Sequence, residues 1–211
     1  MMEGNVFRDF RVPADATRQF MSILTVSRAL ILGSIETETG FVAPYFADFS
    51  RISSGRKLSL VASIYASVLI DNFGDSVNAV FGPSYSGIAS CVATAEQLTK
   101  KLQKDVAFTF ERKAPHVVLG SNLFVGHQFN DEDQVVIIDD ALMTGGTIKR
   151  SIGYIQSAGA KVIGALVGLD RQDCVPSGVT ARQDIETEFG IPVISIASST
   201  DIENHFRSAP R

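Results

Sequence analysis

The sequence predicts an α/β fold, a mainly parallel central sheet flanked by helices. Three observations carry that expectation. Short, almost uninterrupted apolar runs recur along the chain, as in strands buried on both faces. Segments of helical periodicity separate the runs, so that strand and helix alternate. Turn residues punctuate the junctions. With 211 residues, 45% of them hydrophobic, the chain can bury a substantial core, and one domain over residues 1–211 is the simplest organisation.

The elements follow in order. Thr17 to Leu32 places Phe20, Ile23, Leu24, Ala29 and Leu30 at helical spacing, with Gly33 as a stop. Glu36 to Ser50 reads as extended, because Pro44 excludes a helix interior. Ser53 or Ser54 caps a helix through Leu58, Val61, Ile64, Val68 and Leu69 that ends near Gly74. Ala79-Val80-Phe81 is a strand, and Gly87 to Lys101 the helix behind it. Val106 to Phe110 is the next strand. Glu111 to Asn130 has little apolar periodicity and reads as one long connection, of the kind that serves as a lid or binding loop. Val135 to Asp139 is a strand, followed by a glycine loop and a helix through Ile155. Val162 to Leu169 and Ile191 to Ile196 complete the sheet, before a short terminal helix.

Composition narrows the function classes. A formal charge of −4 argues against a general nucleic-acid surface. No apolar stretch is long enough to span a bilayer, and the charged N-terminal region lacks a signal-peptide pattern, so a cytoplasmic protein without membrane contact is the expectation. Cys91 and Cys174 have no C-x-x-C spacing and read as buried or incidental thiols. His116, His127 and His205 lack zinc spacing, and no metal ligand is assigned to the protein itself.

The densest chemistry lies in Val135 to Ile148. An apolar strand ends in Asp139 and Asp140, passes through Thr144-Gly145-Gly146-Thr147, and enters a helix. Ligands of parallel sheets bind beyond the carboxyl ends of the strands. Two acids can accept hydrogen bonds from ring hydroxyls, while glycine amides, threonine hydroxyls and a helix N-terminus can hold a phosphate. The spacing is neither a Walker A loop nor a dinucleotide fingerprint. A ribose 5-phosphate satisfies the whole arrangement. The alternative is that two acids merely end a strand and the glycines make a turn; adjacent acids at the end of a buried strand carry a desolvation cost that counts against it.

These residues resemble the phosphoribosyl-pyrophosphate (PRPP) motif of type I phosphoribosyltransferases, and the chain resembles the orotate phosphoribosyltransferase family over nearly its whole length. Pro44-Tyr45-Phe46 is similar to the family's base-covering segment, and Phe81 to Ile88 to its Gly-Pro-x-Tyr-Lys-Gly-Ile loop. Arg112-Lys113 resembles the start of the mobile catalytic loop and Asn122 to Gly126 its end; Leu169-Asp170-Arg171-Gln172 matches Leu-Asp-Arg-Gln. The resemblance implies the type I phosphoribosyltransferase fold, with a small N-terminal hood from about residues 1–50 over the base site. It implies transfer of 5-phosphoribosyl from PRPP to orotate, giving orotidine 5'-monophosphate and pyrophosphate, as in pyrimidine biosynthesis. Asp139, Asp140, Arg112, Lys113 and His116 would be catalytic. Asp139, Asp140, Thr144, Gly145, Gly146, Thr147, Tyr85 and Ser86 would bind PRPP, and Phe46, Met143 and Arg171 the base. Mg²⁺ would be the cofactor, held mainly by substrate oxygens. A homodimer would share the loop near Arg112 to His116 across its interface.

The chain departs from the family pattern at functional positions. Ser86 stands where the family has a lysine, Ala114-Pro115-His116 where the mobile loop has another, Met143 where a threonine reaches the base, and Ala47 at a second aromatic. Aligned back from Pro44, Glu38 falls where a lysine approaches orotate. Two like charges about 4 Å apart repel by about 4 kcal/mol at an effective dielectric near 20, about three decades of affinity. Glu38 therefore either turns to solvent or marks a different base. The alternatives to orotate transfer are a divergent phosphoribosyltransferase for another nucleobase and a catalytically weak PRPP- or nucleotide-binding regulator.

Overall fold

The computed structural model describes residues 10–36, 42–112 and 123–208. Six strands form one sheet in the spatial order β5-β4-β3-β6-β7-β8, where β3 is Ala79–Gly82, β4 Ala107–Glu111, β5 Phe124–Gly126, β6 Gln134–Leu142, β7 Lys161–Asp170 and β8 Val193–Ser198. All neighbours are parallel except β4 and β5. Two further strands, β1 (Leu30–Glu36) and β2 (Val42–Ala47), pair antiparallel as a separate small sheet.

The period-2 alternation of the strands fills two cores. Val80, Val136, Ile138, Leu166 and Ile194 pack with α1 (Ala14–Val26), α2 (Gly55–Phe73), α3 (Ser86–Leu102) and α6 (Ser199–Ser208). Phe81, Val135, Ile137, Ala165 and Val193 pack with α4 (Gly146–Ser157) and α5 (Ala181–Phe189). Both faces of the sheet are covered, so its strands carry no polar alternation. Local signals fix the helix ends. Ser54 accepts from the Lys57 amide at the start of α2, and Thr180 and Gln183 form a reciprocal capping box on α5.

The mainly parallel sheet and the flanking helices are as the sequence predicts, and the separate β1–β2 sheet stands in the segment from which the resemblance implies a small N-terminal hood. Three local expectations are corrected. The helix expected over Thr17 to Leu32 starts at Ala14, behind Pro13, and stops at Val26. Arg28 then takes a left-handed φ of 54° and reverses the chain, and Leu30, Leu32 and Gly33 belong to β1, where pairing with β2 overrides helical periodicity. The connection from Glu111 to Asn130 contains β5, three residues that satisfy the outer edge of β4. Finally, β6 runs past Asp139 to Leu142, because β7 continues to pair with it as far as Asp170.

The strand order reverses direction between β3 and β6: from β3 the chain moves outward to β4, then returns to β6 and continues to β8. Such a switch point opens a crevice beyond the carboxyl ends of two diverging strands. The loop after β3 and the end of β6 meet there.

Candidate functional site

Asp139 is 4% exposed at the switch point, although a carboxylate there must give up water. Its Oδ1 accepts from the Ser86 hydroxyl at 2.9 Å and from the Asp140 amide at 2.9 Å. Asp140 Oδ1 accepts from the Ala141 amide at 2.7 Å. Burial, then the neighbouring Asp140 charge, raises Asp139 to about 7; burial raises Asp140 as well, opposed by its amide bond. The pair therefore titrates as a unit and keeps a proton well above the usual carboxylate range. Beneath it, the fully buried Tyr65 phenol reaches the Asp139 carbonyl at 3.5 Å, and burial keeps that phenol protonated.

Ser86 reaches the acids because α3 starts against β6. A Cβ on Gly87 would lie 2.6 Å from the Ile138 carbonyl oxygen, so only glycine lets the first turn of α3 approach this closely. The preceding loop is fixed from β4: the Ser84 hydroxyl donates to the Glu111 carbonyl at 2.8 Å, and the Ser84–Tyr85 peptide is cis. Tyr85 is exposed at the mouth.

Beyond β6, Gly145 takes φ +80° as the N-cap of α4, a conformation that side chains disfavour. The first amides of α4, which have no acceptor within the helix, point out of its N-terminal end beside the exposed Thr144 and Gly146 and the half-buried Thr147. The acid pair and the Ser86 hydroxyl thus meet at the switch point, and the α4 N-terminus follows the acids a few residues along the chain.

A second group lies beyond β7. The Arg171 amide donates to the Leu142 carbonyl at 3.0 Å. Its Nη1 donates to Met143 Sδ at 3.3 Å, and Nε faces Asp173 at 3.3 Å. Met143 is half exposed and sulfur is a weak acceptor, so this guanidinium edge is open to a stronger one. Phe46 is half exposed on β2 of the small sheet, and its neighbour Tyr45 reaches Ser199, which also donates to the Arg171 carbonyl.

Of the residues singled out in the sequence, Asp139, Asp140, Tyr85, Ser86 and Thr144 to Thr147 come together at the switch point, with Met143 and Arg171 in mutual contact beside it. Arg112 follows β4 directly; its amide donates to the Leu123 carbonyl at 2.7 Å, and its buried Nε has no hydrogen-bond partner among the described residues. Lys113, His116 and Glu38 lie outside the described residues. Sequence reasoning passed over Tyr65, Glu111 and Ser199, whose contacts here span 74, 27 and 28 residues. Only Ser198-Ser199-Thr200-Asp201 carried a local sign, the spacing of a helix cap.

A model of the phosphoribosyl transferase domain matches residues 50–177, which contain both the Ser86 loop and the acid pair. The chain belongs to the phosphoribosyltransferase family. Its relatives within that family include the orotate phosphoribosyltransferase of Enterobacter sp. (strain 638), 31% identical over 92% of this chain and 89% of that one. That of Salmonella arizonae is 33% identical with the same coverage. The crystal structure of the Francisella tularensis orotate phosphoribosyltransferase superposes with a TM-score of 0.76, at 25% identity over 91% of each chain. A Mycobacterium tuberculosis structure in complex with PRPP shares the fold of this phosphoribosyltransferase, with a TM-score of 0.63 and 17% identity over 90% of this chain and 92% of that one. No helix among the described residues is long and apolar enough to cross a membrane.

Proposed function

We propose that this phosphoribosyltransferase transfers the 5-phosphoribosyl group of PRPP to orotate, releasing pyrophosphate. The observation that carries the reading is the buried Asp139 beside the half-buried Asp140 at the switch point, followed a few residues along the chain by the Gly145 cap of α4, with Arg171 against Met143. The α4 amides and the two threonines bind the 5-phosphate. Asp139 and Asp140 accept the two ribose hydroxyls. Those donors favour the ionised acids over the protonated pair of the free site, so substrate binding expels the retained proton. The resulting negative charge then stabilises the positive charge that develops on the ribose ring as pyrophosphate leaves.

Arg171 faces the base, where a carbonyl or carboxylate displaces the Met143 thioether from Nη1. Phe46 covers the ring. Arg112, at the end of β4, is the cation we assign to pyrophosphate, with Lys113 and His116 following it in sequence and supplied across a homodimer interface. Hard carboxylate oxygens in the crevice fit Mg²⁺. When bound, Mg²⁺ supplies neutralisation of the departing pyrophosphate.

A second reading, transfer to a different base, is favoured by the half-exposed thioether of Met143 against Arg171. One experiment separates them: pyrophosphate release from PRPP with Mg²⁺ across a small panel of nucleobases. Orotate-dependent release supports the first reading. Release with another base alone moves the assignment to that base, and tight PRPP binding without turnover of any base removes the enzymatic reading.

A further inference from the structure

We propose that Tyr45, Ser199 and Gln172 form a positioning relay, in which the start of α6 locks the hood strand β2 to the turn after β7 and so holds Phe46 and Arg171 as one unit. The relay rests on the reading above for its consequence, since that reading sets both residues against the base.

The bonds have a fixed direction. Ser199 Oγ lies 2.7 Å from the Arg171 carbonyl, which can only accept, so the serine proton points there. Tyr45 Oη lies 2.6 Å from the same Oγ and must be the donor. Burial raises the Tyr45 phenol above its ordinary value, so it remains a donor across the working pH range. The chain of donation runs from β2, through α6, to the backbone of Arg171.

The receiving turn is held on every side. The Arg171 amide is tied to Leu142, and its carbonyl to Ser199. Gln172 takes φ +58°, a left-handed conformation that a non-glycine residue keeps only when its surroundings impose it. They do so from two sides. Its amide donates to Asp170 Oδ1 at 2.8 Å, and its Oε1 accepts from the Thr200 hydroxyl at 3.0 Å and the Thr200 amide at 3.3 Å. The donors at the start of α6 are themselves fixed by Ser198 and Asp201, which exchange hydrogen bonds across the first turn.

The hood needs such a tie. A two-stranded sheet is not stable on its own, and on β2 the side chain of Tyr45, 6% exposed, enters the core, with Ala47 packed against it. Its neighbour Phe46 points outward and is half exposed, so the position of Phe46 follows that of Tyr45.

The test compares Tyr45→Phe, Ser199→Ala and Ser199→Thr, after the wild type has been run on the base panel. Each loss of a buried hydrogen bond raises the base KM by about 5- to 30-fold. The PRPP KM and kcat stay within about twofold, and Ser199→Thr, which retains a hydroxyl, restores most of the base KM. Combining Tyr45→Phe with Ser199→Ala adds little beyond the larger single effect. Equal rises in both KM values, or fully additive effects, overturn the relay. Amide exchange supplies a second readout that needs no turnover: Tyr45→Phe speeds exchange in residues 42–47 and in residues 171–172 together. Acceleration confined to residues 42–47 refutes the coupling even if the wild type turns over no base, a result that by itself removes only the enzymatic reading.

Discussion

Asp139 is placed where burial and the neighbouring Asp140 make its charge least welcome. Its folded-state value, raised to about 7, exceeds the ordinary 3.8, so the folded protein binds this proton more tightly than the unfolded chain. The associated stability is complete below the unfolded value and is lost as pH rises through the folded one. Asp139→Asn removes that loss. The variant should melt a few degrees above wild type at pH 8, with the difference shrinking as the pH falls toward 4; calorimetry across that range reads it. A pH-independent difference would place the effect elsewhere. The double variant Asp139→Asn with Asp140→Asn keeps the fold but reduces PRPP-dependent turnover by at least ~100-fold, as expected on losing charge-assisted bonds to the sugar. Undiminished turnover would remove the diol assignment. Arg171→Ala raises the base KM by more than ten-fold and the PRPP KM by less than three-fold; equal effects make Arg171 structural. The acid pair and the Thr/Gly loop were legible because they are contiguous, Asp139 to Thr147 making nine residues. Tyr45 was not legible as a tie, since its partner Ser199 lies 154 residues away.

At the scale of elements, what the sequence revealed depended on what competes with local periodicity. α2 to α4 appear where their apolar spacing and caps place them, since Ser54, Gly74 and Gly145 act within a turn. The end of α1 was hidden because Ala29 to Leu32 continues an apolar run that suits helix and strand equally; only pairing with β2 decides it. β5 was hidden because three residues are too few for any period. The approach of α3 to β6 has a sharp consequence. Gly87→Ala puts a methyl 2.6 Å from the Ile138 carbonyl, a backbone atom that cannot rotate away. We expect a loss of about 1–3 kcal/mol, read as a lower melting temperature. PRPP affinity should fall as well, because Ser86 retreats from Asp139; unchanged affinity would show that the serine is not needed at that distance.

For the whole molecule, two cores share one sheet, with Val136 and Ile138 facing one and Val135 and Ile137 the other. A cavity on either side should therefore be felt by both. Leu69→Ala and Ile152→Ala, each at a fully buried side chain, should cost about 2–5 kcal/mol. Each should lower a single unfolding transition; two transitions in calorimetry would show that the layers unfold separately. The Tyr45–Ser199 bond also sets a schedule for synthesis. At ~5–20 residues per second, roughly 8 to 30 s separate the addition of Tyr45 from that of Ser199. Throughout that interval the nascent chain holds β2 without its Ser199 dock, while Asp139 and Ser86 can already be brought together. The relay that we propose between the hood and Arg171 therefore closes only once α6 has been made.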